Sequence, residues 1–304
     1  MKKLISKLLL VTITLSLLTE KGTLAFALGS SSTASGTSAS QLGQIAESAG
    51  AVQSFQADLF TGRAQTSVPI FVPPGRKNVQ PSLGLNYSSS GGNSWLGMGW
   101  GLDLGYIARD VKKGVPKYDS TDKYIFSYQG VNSELVSVAT NEYRAKDEAL
   151  FLKFIYDSTN NSWIVTDKSG TQHTFGDSAT NRQINNLGTF KWALAKVKDT
   201  SGNYMSVSYT SDNGELYLSS IEYNGNEPQS FSHTHRVEFN LEDRTDVSFS
   251  YITGAKVSAN KRLNISRFSL SLTVRSSSVI SLFSLNLIRT LFLALVTSIA
   301  VYPS

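Results

Sequence analysis

Several residue clusters in this chain have the types and spacing for chemistry. His233-Thr-His235 would put two imidazoles on one face of a strand, which is how a metal site begins. No third histidine stands near them, only His173 far upstream, and Glu238 faces away from His235 on a regular strand. A solvated pair at a loop edge is the expectation. Asp119 with Asp122, and Glu242 with Asp243, pair carboxylates as acid–base or calcium chemistry requires. Neither pair has EF-hand spacing, and both fall in turn-rich sequence, where carboxylates cap backbone N–H groups. Gly97-Met-Gly99-Trp-Gly101 offers the glycines of a dinucleotide loop, but Leu102 stands where the last glycine belongs and no helical pattern follows. Gly92-Asn-Ser94-Trp-Leu-Gly97 misses a nucleophile elbow by one residue. Ser120-Thr-Asp-Lys123 and Ser258-Ala-Asn-Lys261 match S-x-x-K, as loops containing Ser and Lys do by chance. The chain has no cysteine, which excludes thiol chemistry and thiolate zinc sites. No catalytic residue, cofactor or metal is expected.

Short strands and turns must position these residues. With 40% hydrophobic and 11% aromatic residues the chain can build a real core. Leu83, Leu85 and Tyr87 alternate with smaller or polar residues, as do Met205, Val207 and Tyr209. His235–Leu241 and Asp246–Tyr251 repeat the pattern, the latter placing Val247, Phe249 and Tyr251 on one face. A period of two buries one face of an antiparallel sheet and leaves the other wet. Further strands are predicted at Val68–Val72, Tyr124–Tyr128, Leu150–Ile155, Trp163–Thr166, Trp192–Val197 and Leu216–Tyr223. Asp167-Lys-Ser-Gly170 and Asp199-Thr-Ser-Gly202 are near copies of one turn, in which Asp bonds the backbone ahead and Gly takes the positive φ. Gln44–Val52 has room for one or two helical turns.

The two ends differ from the body. Residues 1–27 read as a secretory signal peptide: a basic start at Lys2 and Lys3, an apolar run from Leu8 to Leu18, and the small-x-small site Ala25-Phe-Ala27. Residues 28–49 open with a Ser/Gly-rich linker. The net charge of +5 falls to +2 without the four lysines and one glutamate of residues 1–27. Without Arg267, Arg275 and Arg289 the remaining body is at about −1, so a nucleic-acid partner is excluded. Residues 264–304 turn Ser/Leu-rich and aberrant, with an apolar stretch at 282–302. That stretch reads either as a membrane segment, for which Arg289 is costly, or as out-of-frame sequence after a gene truncation, which the composition favours.

The densest motif lies between Gly62 and Trp100. Pro69-Ile70 opens a strand, Pro73-Pro-Gly75-Arg76 turns, and Gln80-Pro81 leads into the alternating strand that ends at Tyr87. A loop with Gly91-Gly-Asn93 at its tip follows, then Leu96-Gly97-Met-Gly99-Trp100. This order resembles the amino-terminal domain shared by the Salmonella virulence protein SpvB and the B components (TcaC-like) of insecticidal toxin complexes, over residues 50–263. Ile107-Ala-Arg109, Gly114–Asp119 with Asp122, and Glu242-Asp-Arg244 with Asp246 extend it more loosely. Asp199-Thr-Ser-Gly-Asn-Tyr204 and the sequence to Tyr223 are similar to an RHS/YD-type repeat unit.

The resemblance implies an all-β fold of antiparallel hairpins and meanders forming part of a large RHS-like shell. It implies a secreted, structural module associated with toxin encapsulation or delivery. The expected partner is an RHS-type C component or the missing remainder of a longer toxin chain. Pro69, Pro73, Gly75, Arg76, Gln80, Pro81, Tyr87, Gly91, Asn93, Gly97, Gly99 and Trp100 carry the family motif as structural residues. The Glu-x-Glu pair of an ADP-ribosyltransferase is absent from the chain, so it is expected not to be an enzyme. The alternative is a surface-anchored glycan- or protein-binding β module that uses aromatic hairpins around Trp163 or Trp192, held to the membrane by residues 282–302.

Overall fold

The computed structural model describes Gln56–Ala57, residues 62–264, and the backbone of two further strands at Ser269–Val274 and Ser278–Ser284. The predicted signal peptide, linker and Gln44–Val52 turn lie outside the described residues, as does 285–304, most of the predicted apolar segment. Among the described residues no helix is long and apolar enough to cross a membrane.

The first sheet takes up the segment rich in proline and glycine from Pro69 to Trp100. It comprises β1 (Gln56–Ala57), β2 (Ala64–Ile70) and β3 (Leu83–Ser88); after a small hairpin of β4 (Asn93–Ser94) and β5 (Gly97–Met98), β6 (Trp100–Gly101) pairs with β3. Leu83 and Leu85 are buried on one face, as their alternation requires.

A seven-strand antiparallel meander follows: β7 (Tyr106–Arg109), β8 (Tyr124–Tyr128), β9 (Val131–Ala139), β10 (Glu142–Ala145), β11 (Lys153–Asp157), β12 (Ser162–Thr166) and β13 (Gln172–Phe175). β14 (Arg182–Asn185) then leads into β15 (Gly188–Lys198). β15 pairs with β7 through Lys191–Ala193 and with β13 through Leu194–Lys198, which closes an eight-stranded barrel. Closure removes the exposed edges that an open meander would leave.

Inward positions two apart along each strand fill the barrel with rings. Phe126, Phe154, Trp163, Phe175 and Trp192 are all at or below 1% exposure. Tyr124, Tyr143 and Tyr156 surround Trp163 at centroid distances of 5.0, 5.1 and 4.9 Å, and Phe126 meets Phe154 edge-on at 4.8 Å. Each such side chain contributes about 150–250 Å² of burial, which makes this the dominant core.

β15 also starts an open extension. Its second half pairs with β16 (Asn203–Asp212), followed by β17 (Glu215–Asn226) and β18 (His235–Glu238). A separate ribbon of β19 (Leu241–Ser250) and β20 (Val257–Leu263) comes next in the chain. β21 (Ser269–Val274) then joins β18 and pairs with β22 (Ser278–Ser284), so the sheet runs past residue 263.

The near-copied turns adopt one geometry. In each, the Asp carboxylate accepts from the backbone two and four residues ahead, at 2.8 and 3.0 Å for Asp167 and 2.8 and 2.8 Å for Asp199. Gly170 and Gly202 close them at φ of +83° and +77°.

Several predicted strands differ. The Asp246–Tyr251 alternation does not mark a core face: Val247, Phe249 and Tyr251 are 48, 65 and 59% exposed on the β19–β20 ribbon, which lacks a covering layer on that side among the described residues. His235–Leu241 is broken at Phe239, whose ring goes into the core while the chain turns into β19. Leu150–Ile155 begins as a strand only at Lys153, because Phe151 takes a positive φ. β9 escaped the sequence reading because of its two inward positions only Leu135 is apolar, the other being Ser133, whereas Val136 and Val138 face solvent.

Candidate functional site

The segment from Pro69 to Trp100 is docked at both ends. Among the described residues β1 pairs with β2 only at Ala64 and Gln65, so Pro69 sits where its missing N–H is not needed. The loop after β2 turns at Gly75, where a Cβ would fall 2.2 Å from the Val79 carbonyl oxygen. Gln80 Oε1 accepts the Gly75 N–H at 2.6 Å and holds the loop closed. The loop then reaches the open sheet: Tyr223 donates its hydroxyl to the Pro73 carbonyl at 3.0 Å, and the Arg76 N–H donates to Asn224 Oδ1 at 3.1 Å. The Arg76 guanidinium lies over the Phe231 ring at 4.8 Å, and Lys77 Nζ donates to Ser201 in the Asp199 turn at 2.7 Å. Pro81 is buried beneath this loop.

At the other end Tyr87 and Trp100 are cross-strand partners with rings 5.2 Å apart. Gly99 takes φ +77°, and its Cα approaches Gly91 so closely that a Cβ on Gly91 would stand 2.9 Å from it. Gly97, at φ +105°, turns the β4–β5 hairpin. The hairpin is clamped by Arg244 of β19, whose side chain is 1% exposed. Arg244 donates to Asn93 Oδ1 at 2.7 Å and to the Ser94 carbonyl at 2.8 Å, and its remaining N–H groups hold Asp246 at 2.7 and 3.1 Å. The Arg244 hydrogen bond keeps the Asp246 carboxyl far below its ordinary pKa.

The two mouths of the barrel are plugged by polar groups. At one, Arg109 donates to Asp122 at 2.7 Å and to the Thr189 carbonyl at 2.9 Å, with its guanidinium 4.9 Å from the Tyr118 ring centre. Asp122 also accepts the N–H groups of Lys117 and Tyr118, which fixes the β7–β8 connection. At the other mouth the Tyr128 hydroxyl meets His173 Nδ1 at 3.1 Å, and His173 Nε2 faces Asp167 at 3.9 Å. Burial raises the Tyr128 pKa to about 12 and depresses that of His173, so the imidazole is neutral at pH 7.

Between the β2–β3 hairpin and this second mouth lies a cleft of about 760 Å³. Asp103 lines it, with its Oδ1 accepting the Gly105 N–H at 2.9 Å. Asp103 is exposed to the cleft, and the protein atoms crowding its carboxylate raise its pKa by desolvation. Sequence reading passed over Asp103, a single acid between leucines with no partner at a telling spacing.

The structure redistributes the other candidates. His233 precedes β18 and faces Tyr204 and Glu222, whereas His235 pairs with Tyr223, which points to the opposite face. The two rings do not share a face, because the strand begins only at His235, and both are half-buried where a solvated pair was expected. Burial lowers the pKa of both rings. Among the described residues no group of three or more His, Asp or Glu is placed to hold a metal. Asp119 caps its own turn through Thr121, while Asp122 belongs to the Arg109 plug. Glu242 and Asp243 pair with Arg262 and Lys261 across the ribbon. Ser94 donates to the Trp100 carbonyl and accepts the Leu96 N–H, so it serves the hairpin turn. Lys123 is engaged by Glu134. Trp163 and Trp192, the proposed glycan contacts, are 0 and 1% exposed in the barrel and touch no solvent-borne ligand.

A closed aromatic-filled barrel that continues into an open antiparallel sheet is the fold of a β module found in effector and toxin-complex proteins. It is similar to the N-terminal domain of effector protein SpvB from Salmonella typhimurium strain LT2, with a TM-score of 0.59 at 18% identity over 66% of this chain and 87% of that one. It is also similar to the Photorhabdus luminescens Tc holotoxin pore (TM-score 0.61, 18% identity, 76% of this chain and 14% of that one) and to TcdB2-TccC3 (TM-score 0.58, 20% identity, 73% and 14%). The chain belongs to the Salmonella virulence plasmid 65kDa B protein family, whose model matches residues 59–242. The mono(ADP-ribosyl)transferase SpvB of Salmonella choleraesuis (strain SC-B67) is 26% identical over 195 residues, which is 55% of this chain. The same match holds for that of Salmonella enteritidis.

These relatives correct one expectation. The sequence reading set the chain down as not an enzyme, yet its curated relatives carry the name of an enzyme. The chain spans about a third (32%) of their length. The missing Glu-x-Glu pair was thus too narrow a basis, because a motif search within one segment says nothing of the protein to which the segment is related.

Proposed function

We infer that this chain is an exported structural module of a toxin or effector assembly, packing by its sheet against the remainder of a longer chain or against an RHS-type partner. The observation that carries this reading is the asymmetry of the fold. The barrel closes on itself, whereas the sheet leaving β15 continues strand by strand to β22, and a growing antiparallel sheet is completed by further strands. The twin Asp turns stacked at one end, with the Cβ position of Gly170 only 2.8 Å from Thr200, support a repeating RHS-like build. The signal-peptide pattern of residues 1–27 supports export, with Leu28 as the first mature residue.

The test is to express the full chain in bacterial cells that carry toxin-complex partners, fractionate them, and cross-link the secreted material. A mature chain starting at Leu28 with cross-links from the β17–β22 region to another polypeptide is expected. A monodisperse, cooperatively unfolding monomer without such cross-links refutes the packing role, and a chain retained inside with residues 1–27 intact refutes export.

A further inference from the structure

The cleft between the β2–β3 hairpin and the barrel holds one charged side chain among its described lining residues, Asp103. Asp103 has no ion-pair partner within 4.0 Å among the described residues. Its Oδ1 is satisfied by the Gly105 N–H at 2.9 Å, but Oδ2 has only a long contact to Ser127 Oγ at 3.5 Å. Lys191, on β15 beside β7, lines an adjoining cleft with Asp103 but turns its Nζ over the Tyr106 ring at 5.1 Å and forms no ion pair with the carboxylate. A carboxylate without an ion-pair partner, the one charge on the wall of an open cleft, is complementary to a cation.

The chemistry of that cation follows from what the cleft presents. With one oxygen free, Asp103 lacks the two parallel acceptors that a guanidinium fork requires, whereas a compact ammonium needs one charged acceptor and neutral ones around it. Ser127 and Asn86 supply oxygen atoms in the same cleft. Leu83, Leu104 and Met205 supply apolar wall for an aliphatic stem. The geometry points to Asp103 as the anchor of a binding site for a primary ammonium group on an aliphatic stem, carried either by a small amine or by a lysine side chain of a bound polypeptide. The site stands on the cleft alone and does not depend on the shell reading.

Calorimetric titration of the full chain with Nα-acetyl-lysine methylamide, n-butylammonium and the uncharged control Nα-acetyl-norleucine methylamide tests this. Both amines are expected to bind about tenfold or more tightly than the norleucine amide, and Asp103→Asn is expected to remove that advantage. A lysine amide bound more tightly than n-butylammonium assigns the site to a polypeptide, and equal binding assigns it to small amines. Equal affinity for the lysine and norleucine amides on the unaltered chain overturns the proposal, whatever the folding of the variant. Unchanged amine binding by a folded Asp103→Asn chain overturns it as well.

Discussion

Replacing Asp122 by alanine tests the claim that the barrel mouth is sealed by a desolvated ion pair. The Arg109 and Asp122 side chains are 12 and 8% exposed, so water cannot take the place of the lost partner. The substitution strands the Arg109 guanidinium, which keeps only the Thr189 carbonyl and its ring contacts, and also the N–H groups of Lys117 and Tyr118. Removing one member of a buried pair costs about 3–5 kcal/mol, and with the part-buried Tyr118 N–H orphaned but the exposed Lys117 N–H open to water this case falls near the middle, about 4 kcal/mol. For a β unit of this size, each kcal/mol lowers Tm by about 2–4 °C, so a fall of about 8–16 °C is expected. Urea unfolding followed by tryptophan fluorescence reads it directly, since the Trp192 ring lies 5.9 Å from the guanidinium. Arg109→Leu alone is also destabilising, and the double variant should recover about 2 kcal/mol relative to the sum of the two. A loss below about 1 kcal/mol in Asp122→Ala, or additive single losses, would refute the sealed-mouth account.

Other expectations follow from the same geometry. Arg244→Met removes the charged donors to Asn93 and Ser94 and should cost about 2–3 kcal/mol in urea unfolding, with Trp95 fluorescence changing first. Gly99→Ala should cost about 1 kcal/mol or more beyond Gly97→Ala, because both have positive φ but only at Gly99 does a Cβ fall 2.7 Å from the Ser88 oxygen; equal losses would show that the backbone yields there. His173 is buried and neutral with a depressed pKa, so the unfolded chain takes up a proton that the native one refuses. Stability should therefore fall as pH drops below about 6.5 and level off below the native pKa, with a slope of at most about 1.4 kcal/mol per pH unit from this group. Unfolding titrations at pH 7.5, 6.5 and 5.5 should show a shallower slope in His173→Gln, and an unchanged slope would remove His173 as the cause.

Local chemistry was legible in the residues. The Leu83-Leu85-Tyr87 and Met205-Val207 alternations, the two Asp turns and the order of prolines and glycines from Pro69 to Trp100 each report a backbone preference that acts within a few residues. They were sufficient for an all-β reading and for the family. What lay beyond them depended on strands far apart in the chain. Val247, Phe249 and Tyr251 have the alternation of a core strand, but no neighbouring layer covers that side of the ribbon among the described residues. A period of two says which side chains share a face and never what faces them. Ser133 inside the barrel and His233 and His235 on opposite faces are decided in the same way, by where a strand starts and what it pairs with.

The turns, the strand periodicity and the docking motif could be read from the residues alone, because these are preferences of the chain for its own next few residues. That β15 serves both β7 and β13 and so closes a barrel is settled only in the assembled fold, since the β7–β15 register is a contact between residues more than 80 positions apart. Only that fold brought Arg109 to Asp122 and Arg244 to Asn93, and left Asp103 without a counter-charge in its cleft. Burial and pairing of charge are properties of the assembled fold, because desolvation depends on every wall around a group and not on its neighbours in sequence.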